Sequence, residues 1–155
     1  MTAHDIDVAV ADGLSGIPDA EAFTRWAEAA LAGEAAATVA IRLVDEDEGR
    51  ALNHAYRDRD SATNVLSFAA EIPEAVAAEL PQRPLGDLAI CVPVVRREAA
   101  GQGKCEADHF AHLTIHGVLH LLGLDHLDDA EAEIMEARER VVLAGLGIAD
   151  PYKPR

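Results

Sequence analysis

A chain of 155 residues, half of them hydrophobic, is long enough to bury one domain core and too apolar to be disordered. Its formal net charge of -15 excludes binding to nucleic acid or an anionic membrane through a uniformly basic surface, so either contact would need a local basic site. With one Trp, two Tyr and three Phe, the core has to come mainly from Ala, Leu, Val and Ile, which favours close-packed helices beside a modest sheet.

The first element in chain order is DIDVAVA, residues 5–11, whose alternation predicts a strand before the Gly/Pro turn GLSGIP. Residues 18–32 predict a helix, with Pro18 in its first turn, Asp19 and Glu21 at its positive end and Gly33 as a stop. ATVAIRLV, residues 37–44, predicts a second strand, and 45–56 a helix with three acids in its first turn. RDRDSA (57–62) is a polar loop, TNVLSFAA (63–70) a third strand, 73–80 a short helix and LGDLAICVP (85–93) a fourth strand. Helices are expected over 93–100, ending near GQGK, over 106–122, and over 128–145, the last N-capped by Asp128 and ending near Gly145. Helices and strands mix without strict alternation, which predicts a single α+β domain around a mixed sheet of about four strands.

Cys91 and Cys105 form no CxxC pair and match no zinc or redox spacing, so free thiols in a reducing compartment are expected. The segment MTAHDIDVAV lacks the basic and apolar regions of a signal peptide, and no apolar run approaches the ~20 residues that span a bilayer. A cytoplasmic protein without membrane contact is the expectation.

The chemistry concentrates in residues 109–126, HFAHLTIHGVLHLLGLDH. His116 and His120 stand four apart, so on a helix they share one face, one turn from each other. Gly123 tolerates positive φ and can end that helix, swinging His126 back toward the same point. Three imidazoles with a fourth position open suit one catalytic zinc ion, although nickel, copper and iron also accept imidazole. His112 lies on the same stripe but about 12 Å along the axis from His120, too far to share a first shell with it. A role behind the ligands, a substrate contact and plain packing all stay open for His112. The spacing matches the metzincin protease signature except at one position. Gly117 stands where those enzymes carry the Glu that serves as general base, which argues against peptide hydrolysis. Asp87 reads as a structural residue or as an acceptor that orients a histidine. Ser67 reads as a satisfied strand hydroxyl more readily than as a phosphate contact.

HGVLHLLGLDH (116–126) resembles the signature of the bacterial YbeY-type endoribonucleases, the ribosomal-RNA maturation factors. LNHAYRDRDSATNVLSF (52–68) and LGDLAICVP (85–93) match the same family in the same order. The resemblance implies an α+β fold with the histidine helix beside its sheet, and one zinc ion per chain on His116, His120 and His126. It implies hydrolysis of single-stranded RNA, in maturation of the 3′ end of small-subunit ribosomal RNA and in ribosome quality control, with ribosomal RNA and the small subunit as partners. It also points to Arg57, whose cation would offset charge building on a phosphodiester during cleavage. Read from its neighbours alone, Arg57 is a solvated loop arginine paired with Asp58 or Asp60. Arg57, Arg59, Arg83, Arg96, Arg97 and Lys104 fall in the middle third of the chain and are the candidates for a local basic cleft. Two other functions compete: a non-catalytic ribosome assembly factor with a structural metal, and a zinc peptidase without the usual Glu.

Overall fold

The computed structural model describes residues 4–57, 62–124 and 128–152. Strands β1 (Asp5–Val10), β2 (Ala37–Val44), β3 (Val65–Ala69) and β4 (Arg83–Cys91) form one sheet in the order β1-β2-β4-β3. β1, β2 and β4 run parallel, and β3 pairs antiparallel with β4 at the edge. The helices are α1 (Ala20–Ala30), α2 (Glu46–Arg57), α3 (Glu74–Ala77), α4 (Val92–Gln102), α5 (Glu106–Leu121) and α6 (Asp129–Gly145). The expected single α+β domain with a mixed four-stranded sheet is therefore present.

Local chemistry sets the boundaries. Asp19 caps α1 by accepting the Ala22 N–H at 2.9 Å, so the helix starts at Ala20 and not at Pro18. Asp128 caps α6 in the same way, accepting the Glu131 N–H at 2.8 Å. The fourth strand begins at Arg83, two residues earlier than its alternation suggested, because Arg83 already donates its N–H to the Ala36 carbonyl. Gly86 follows in this strand with φ +142, and a Cβ there would meet the Phe68 carbonyl oxygen at 2.1 Å. Only glycine allows β3 and β4 to close at that point.

Alternation divides the sheet into two faces. Val39, Ile41 and Leu43 of β2 and Leu88 and Ile90 of β4 enter the core beneath α1 and α5. Phe23 packs edge-on against Trp26 and Phe110, with ring centroids 5.1 and 5.8 Å away, tying α1 to α5. The opposite face is partly covered by α2, leaving a cleft of about 390 Å³ lined by Asp7, Arg42, Tyr56, Phe68, Asp87 and their neighbours. α5 is buried on nearly every side, including at His109, His112 and Thr114. Among the described residues no helix is long and apolar enough to cross a membrane.

Candidate metal centre

α5 carries the histidines because its small residues let it lie close on the sheet. Gly117 sits above Leu88 of β4, and a Cβ at 117 would stand 2.7 Å from Leu88 Cδ2. That distance explains the departure from the peptidase signature. The residue after the first histidine points at the sheet, where a glutamate has no room and no access to a water. Ser67 of β3 donates its hydroxyl to the Gly117 carbonyl at 3.3 Å, fastening the edge strand to the same turn.

α5 ends as the H-x-x-x-H-x-x-G spacing requires. Gly123 takes φ +103, its N–H reaches the His120 carbonyl at 3.0 Å, and the Leu124 N–H reaches the Leu119 carbonyl at 3.1 Å. This paired closure is the Schellman arrangement, and it reverses the chain one turn after His120. His126 lies outside the described residues. His116 and His120 sit on successive turns of α5, both partly exposed.

After the turn, α6 returns alongside α5 and brings in a carboxylate that the histidine spacing does not reveal. Glu139 is fully buried. Its Oε1 lies 2.7 Å from His116 Nδ1 and 3.1 Å from His112 Nε2, and its Oε2 accepts the Tyr152 hydroxyl at 2.6 Å. Burial alone would raise the Glu139 pKa. The hydrogen bonds from His112, His116 and Tyr152 outweigh burial and hold it at about 2. Burial and the Glu139 carboxylate together push the Tyr152 phenol well above its usual range. The only trace of the acid in the sequence is a charge midway between Met135 and Leu143, on a four-residue stripe that the fold buries, and that trace does not connect it to His116.

A second carboxylate secures the start of α5. Glu98 Oε1 lies 3.0 Å from His109 Nε2 and accepts from Asn64 Nδ2 at 3.1 Å, while the Asn64 carbonyl receives the Cys91 N–H. The Asn of TNVLSF thus links β3, β4, α4 and α5. Burial lowers the His109 pKa against the opposing pull of Glu98.

His112, His116 and Glu139 offer three ligand atoms within 4.8 Å of one another, and this group could hold a metal ion. The separations discriminate between two ways of doing so. Ligands placed tetrahedrally at about 2.0–2.1 Å from zinc lie about 3.3 Å apart. The 2.7 Å between His116 Nδ1 and Glu139 is instead a charge-assisted hydrogen bond. With Nδ1–H donating to Glu139, the His116 lone pair is on Nε2, the state a histidine ligand needs. These residues fit a zinc ion on α5 that is backed by Glu139.

The other expected site residues are placed as follows. Arg57 is the last residue of α2, not a loop residue. Its neighbour Tyr56 packs edge-on against Phe68 with ring centroids 5.0 Å apart, and Ser67, the preceding residue in β3, bonds to α5. The edge strand therefore links the end of α2 to the histidine helix. Asp87 is exposed in the cleft on the α2 side, on the face opposite Leu88, so the carboxylate that receives His112 and His116 is Glu139. The described arginines do not gather into a cleft. Arg83 pairs with Glu74 at the start of β4, while in α4 Arg96 pairs with Glu106 and the Ser15 carbonyl, and Arg97 with Glu46. Cys91 is buried and Cys105 exposed, both as free thiols.

Fold and site together define a small α+β domain whose central helix presents histidines backed by a buried carboxylate. The family described as Endoribonuclease YbeY matches residues 16–147. Endoribonuclease YbeY of Xanthomonas euvesicatoria pv. vesicatoria is 58% identical over 150 residues, covering 95% of this chain and 93% of its own length. That of Alkalilimnicola ehrlichii is 59% identical over 142 residues, covering 90% and 84%. The solution structure of a Thermotoga maritima protein superposes with a TM-score of 0.57 at 21% identity, covering 96% of this chain and 99% of that one, a likeness of fold. The chain belongs to the YbeY endoribonuclease family.

Proposed function

We propose that this protein is a single-strand-specific endoribonuclease that depends on one zinc ion held by His116, His120 and His126. Its role is maturation of the 3′ end of small-subunit ribosomal RNA and ribosome quality control, in the cytoplasm, with the small subunit as partner. The carrying observation is the 2.7 Å bond from His116 Nδ1 to the buried Glu139, in a chain of an endoribonuclease family, with His120 one turn further along α5. Zinc would supply Lewis acidity toward a phosphoryl oxygen and lower the pKa of a water to about 7.

The chain's own residues do the rest. Glu139 keeps the His116 ring in one orientation, and Gly123 reverses the chain at the end of α5. Arg57 offsets negative charge gathering on the phosphodiester oxygens. A net charge of -15 repels RNA overall, so binding depends on few cations and its salt dependence is shallow. Gly117, pressed on Leu88, leaves no place for a peptidase base, which favours phosphodiester over peptide hydrolysis.

The test is cleavage of a short single-stranded RNA by zinc-loaded protein beside a His116→Ala variant purified identically. Cleavage by the parent and its loss in the variant are expected. Equal cleavage by both would assign the activity to a contaminant. No cleavage by a parent that binds zinc would favour an assembly factor with a structural metal.

A further inference from the structure

We propose that Glu139 is a positioning residue for the metal site, acting through His116 as a hydrogen-bond acceptor and not as a metal ligand, with Tyr152 and His112 holding it in place. The proposal deepens the function above and rests on its assignment of His116 and His120 as ligands.

The geometry assigns each proton. Glu139 Oε2 accepts from Tyr152 at 2.6 Å, so the phenol is the donor on that side. Oε1 meets His112 Nε2 at 3.1 Å and His116 Nδ1 at 2.7 Å, and a carboxylate can only accept from both. His112 therefore carries its proton on Nε2. Its Nδ1 is buried without a hydrogen-bond partner, consistent with a lone pair there and not an N–H. His116 carries its proton on Nδ1, which aims the Nε2 lone pair away from α6. An ion bound between Glu139 and His116 Nδ1 would have to displace that bond and spread atoms now 2.7 Å apart.

The construction also ties the C-terminal segment to the site. Tyr152 follows α6 in sequence, and its N–H is held by the Asp150 carboxylate at 2.9 Å. Asp150 also accepts from Arg140 Nε at 3.1 Å, and the Arg140 guanidinium lies over the Tyr152 ring, 5.3 Å from its centroid. Arg140 and Asp150 thus brace the tyrosine whose phenol braces Glu139. A role confined to core packing would not need three donors directed at one carboxylate.

Two measurements test this. The first is histidine side-chain ¹⁵N NMR of the metal-free parent, which reports the tautomer of His116 without any substitution. The Nδ1–H form is expected, and an Nε2–H form would overturn the proposal. The second is the zinc dissociation constant, by chelator competition, for the parent, Glu139→Gln, Tyr152→Phe and His120→Ala, with thermal unfolding of each metal-free form as the control for folding. Glu139→Gln keeps the volume and should weaken zinc binding by about 10- to 100-fold. Tyr152→Phe should weaken it less, and His120→Ala more than either. Parent-like affinity in a folded Glu139→Gln variant would overturn the proposal. Parent-like affinity in His120→Ala, with binding abolished in Glu139→Gln, would place the ion on Glu139 itself and also overturn it. A parent that binds no zinc would instead remove the ligand assignment on which the proposal rests.

Discussion

Replacing Gly117 by Ala tests whether α5 is set on the sheet by the absence of one carbon. In the middle of a helix the exchange alone favours the variant by about 0.8–1.0 kcal/mol, because alanine loses less backbone entropy. The structure opposes that gain. The new Cβ would stand 2.7 Å from Leu88 Cδ2 and 3.0 Å from Leu88 Cδ1, where carbon contacts normally lie at about 3.5–4.0 Å. Leu88 is 1% exposed and enclosed by the core, so either its side chain leaves its rotamer or α5 lifts from the sheet. Overpacking of this kind costs about 1–3 kcal/mol, which leaves a net destabilisation of about 1 kcal/mol. Urea unfolding of the metal-free protein measures it. Leu88→Ala alone should cost about 2–5 kcal/mol. The double variant should be more stable than the sum of the two by at least about 1 kcal/mol, because the added methyl occupies vacated space. A Gly117→Ala variant stabilised by its full helix propensity, with no coupling to Leu88, would refute the close approach and the explanation it gives for the absent peptidase glutamate.

Glu139→Gln should reveal a pH-dependent contribution. The carboxyl's pKa falls from an ordinary 4.5 to about 2 on folding, so the stability it adds is complete above about pH 4.5 and is lost as pH drops toward 2. That fall corresponds to about 3 kcal/mol. The parent's advantage over the variant in metal-free unfolding should shrink across this window, and a constant difference would contradict the hydrogen-bond account. Gly86→Ala should cost more than about 3 kcal/mol or prevent folding, since the 2.1 Å approach is to a backbone carbonyl that no side-chain rotation relieves; a loss below 1 kcal/mol in thermal unfolding would disprove it. Asp128→Ala should destabilise by about 1 kcal/mol through loss of the α6 cap, and Asp128→Asn by much less. Equal losses in urea unfolding would show that the cap bond is not the cause.

Most elements could be read from periodicity because their ends are marked by residues with a mechanical role. β2 runs over the expected 37–44, and Asp19, Asp128 and Gly123 each act at a helix end as their chemistry requires. The start of β4 moved for a tertiary reason: Arg83 and Pro84 join the strand because Ala37 and Thr38 of β2 pair with them. α6 ends at Gly145 as expected, and Gly147 follows it in the left-handed conformation. The histidine stripe was legible because ligands on one helix have a fixed spacing. Its support was not, since Glu139 and Tyr152 are separated from His116 by 23 and 36 positions, and nothing local pairs them (139 − 116 and 152 − 116). His112 shows the same limit. Its distance from His120 excluded a shared ion, but only the return of α6 reveals that it faces a carboxylate. The six basic residues of the middle third were close in sequence, yet Arg83 and the α4 arginines sit at opposite ends of β4 and pair with acids.

The most direct test of the proposed activity is to strip the protein of metal with a chelator and follow cleavage of a single-stranded RNA and its duplex form while zinc is added back. Cleavage of the single strand should be absent in the stripped protein, rise to a plateau at about one zinc per chain, and remain absent in His116→Ala at every zinc concentration. Cleavage that persists unchanged through stripping, or that His116→Ala recovers with zinc, would contradict a metal-dependent nuclease centred on α5.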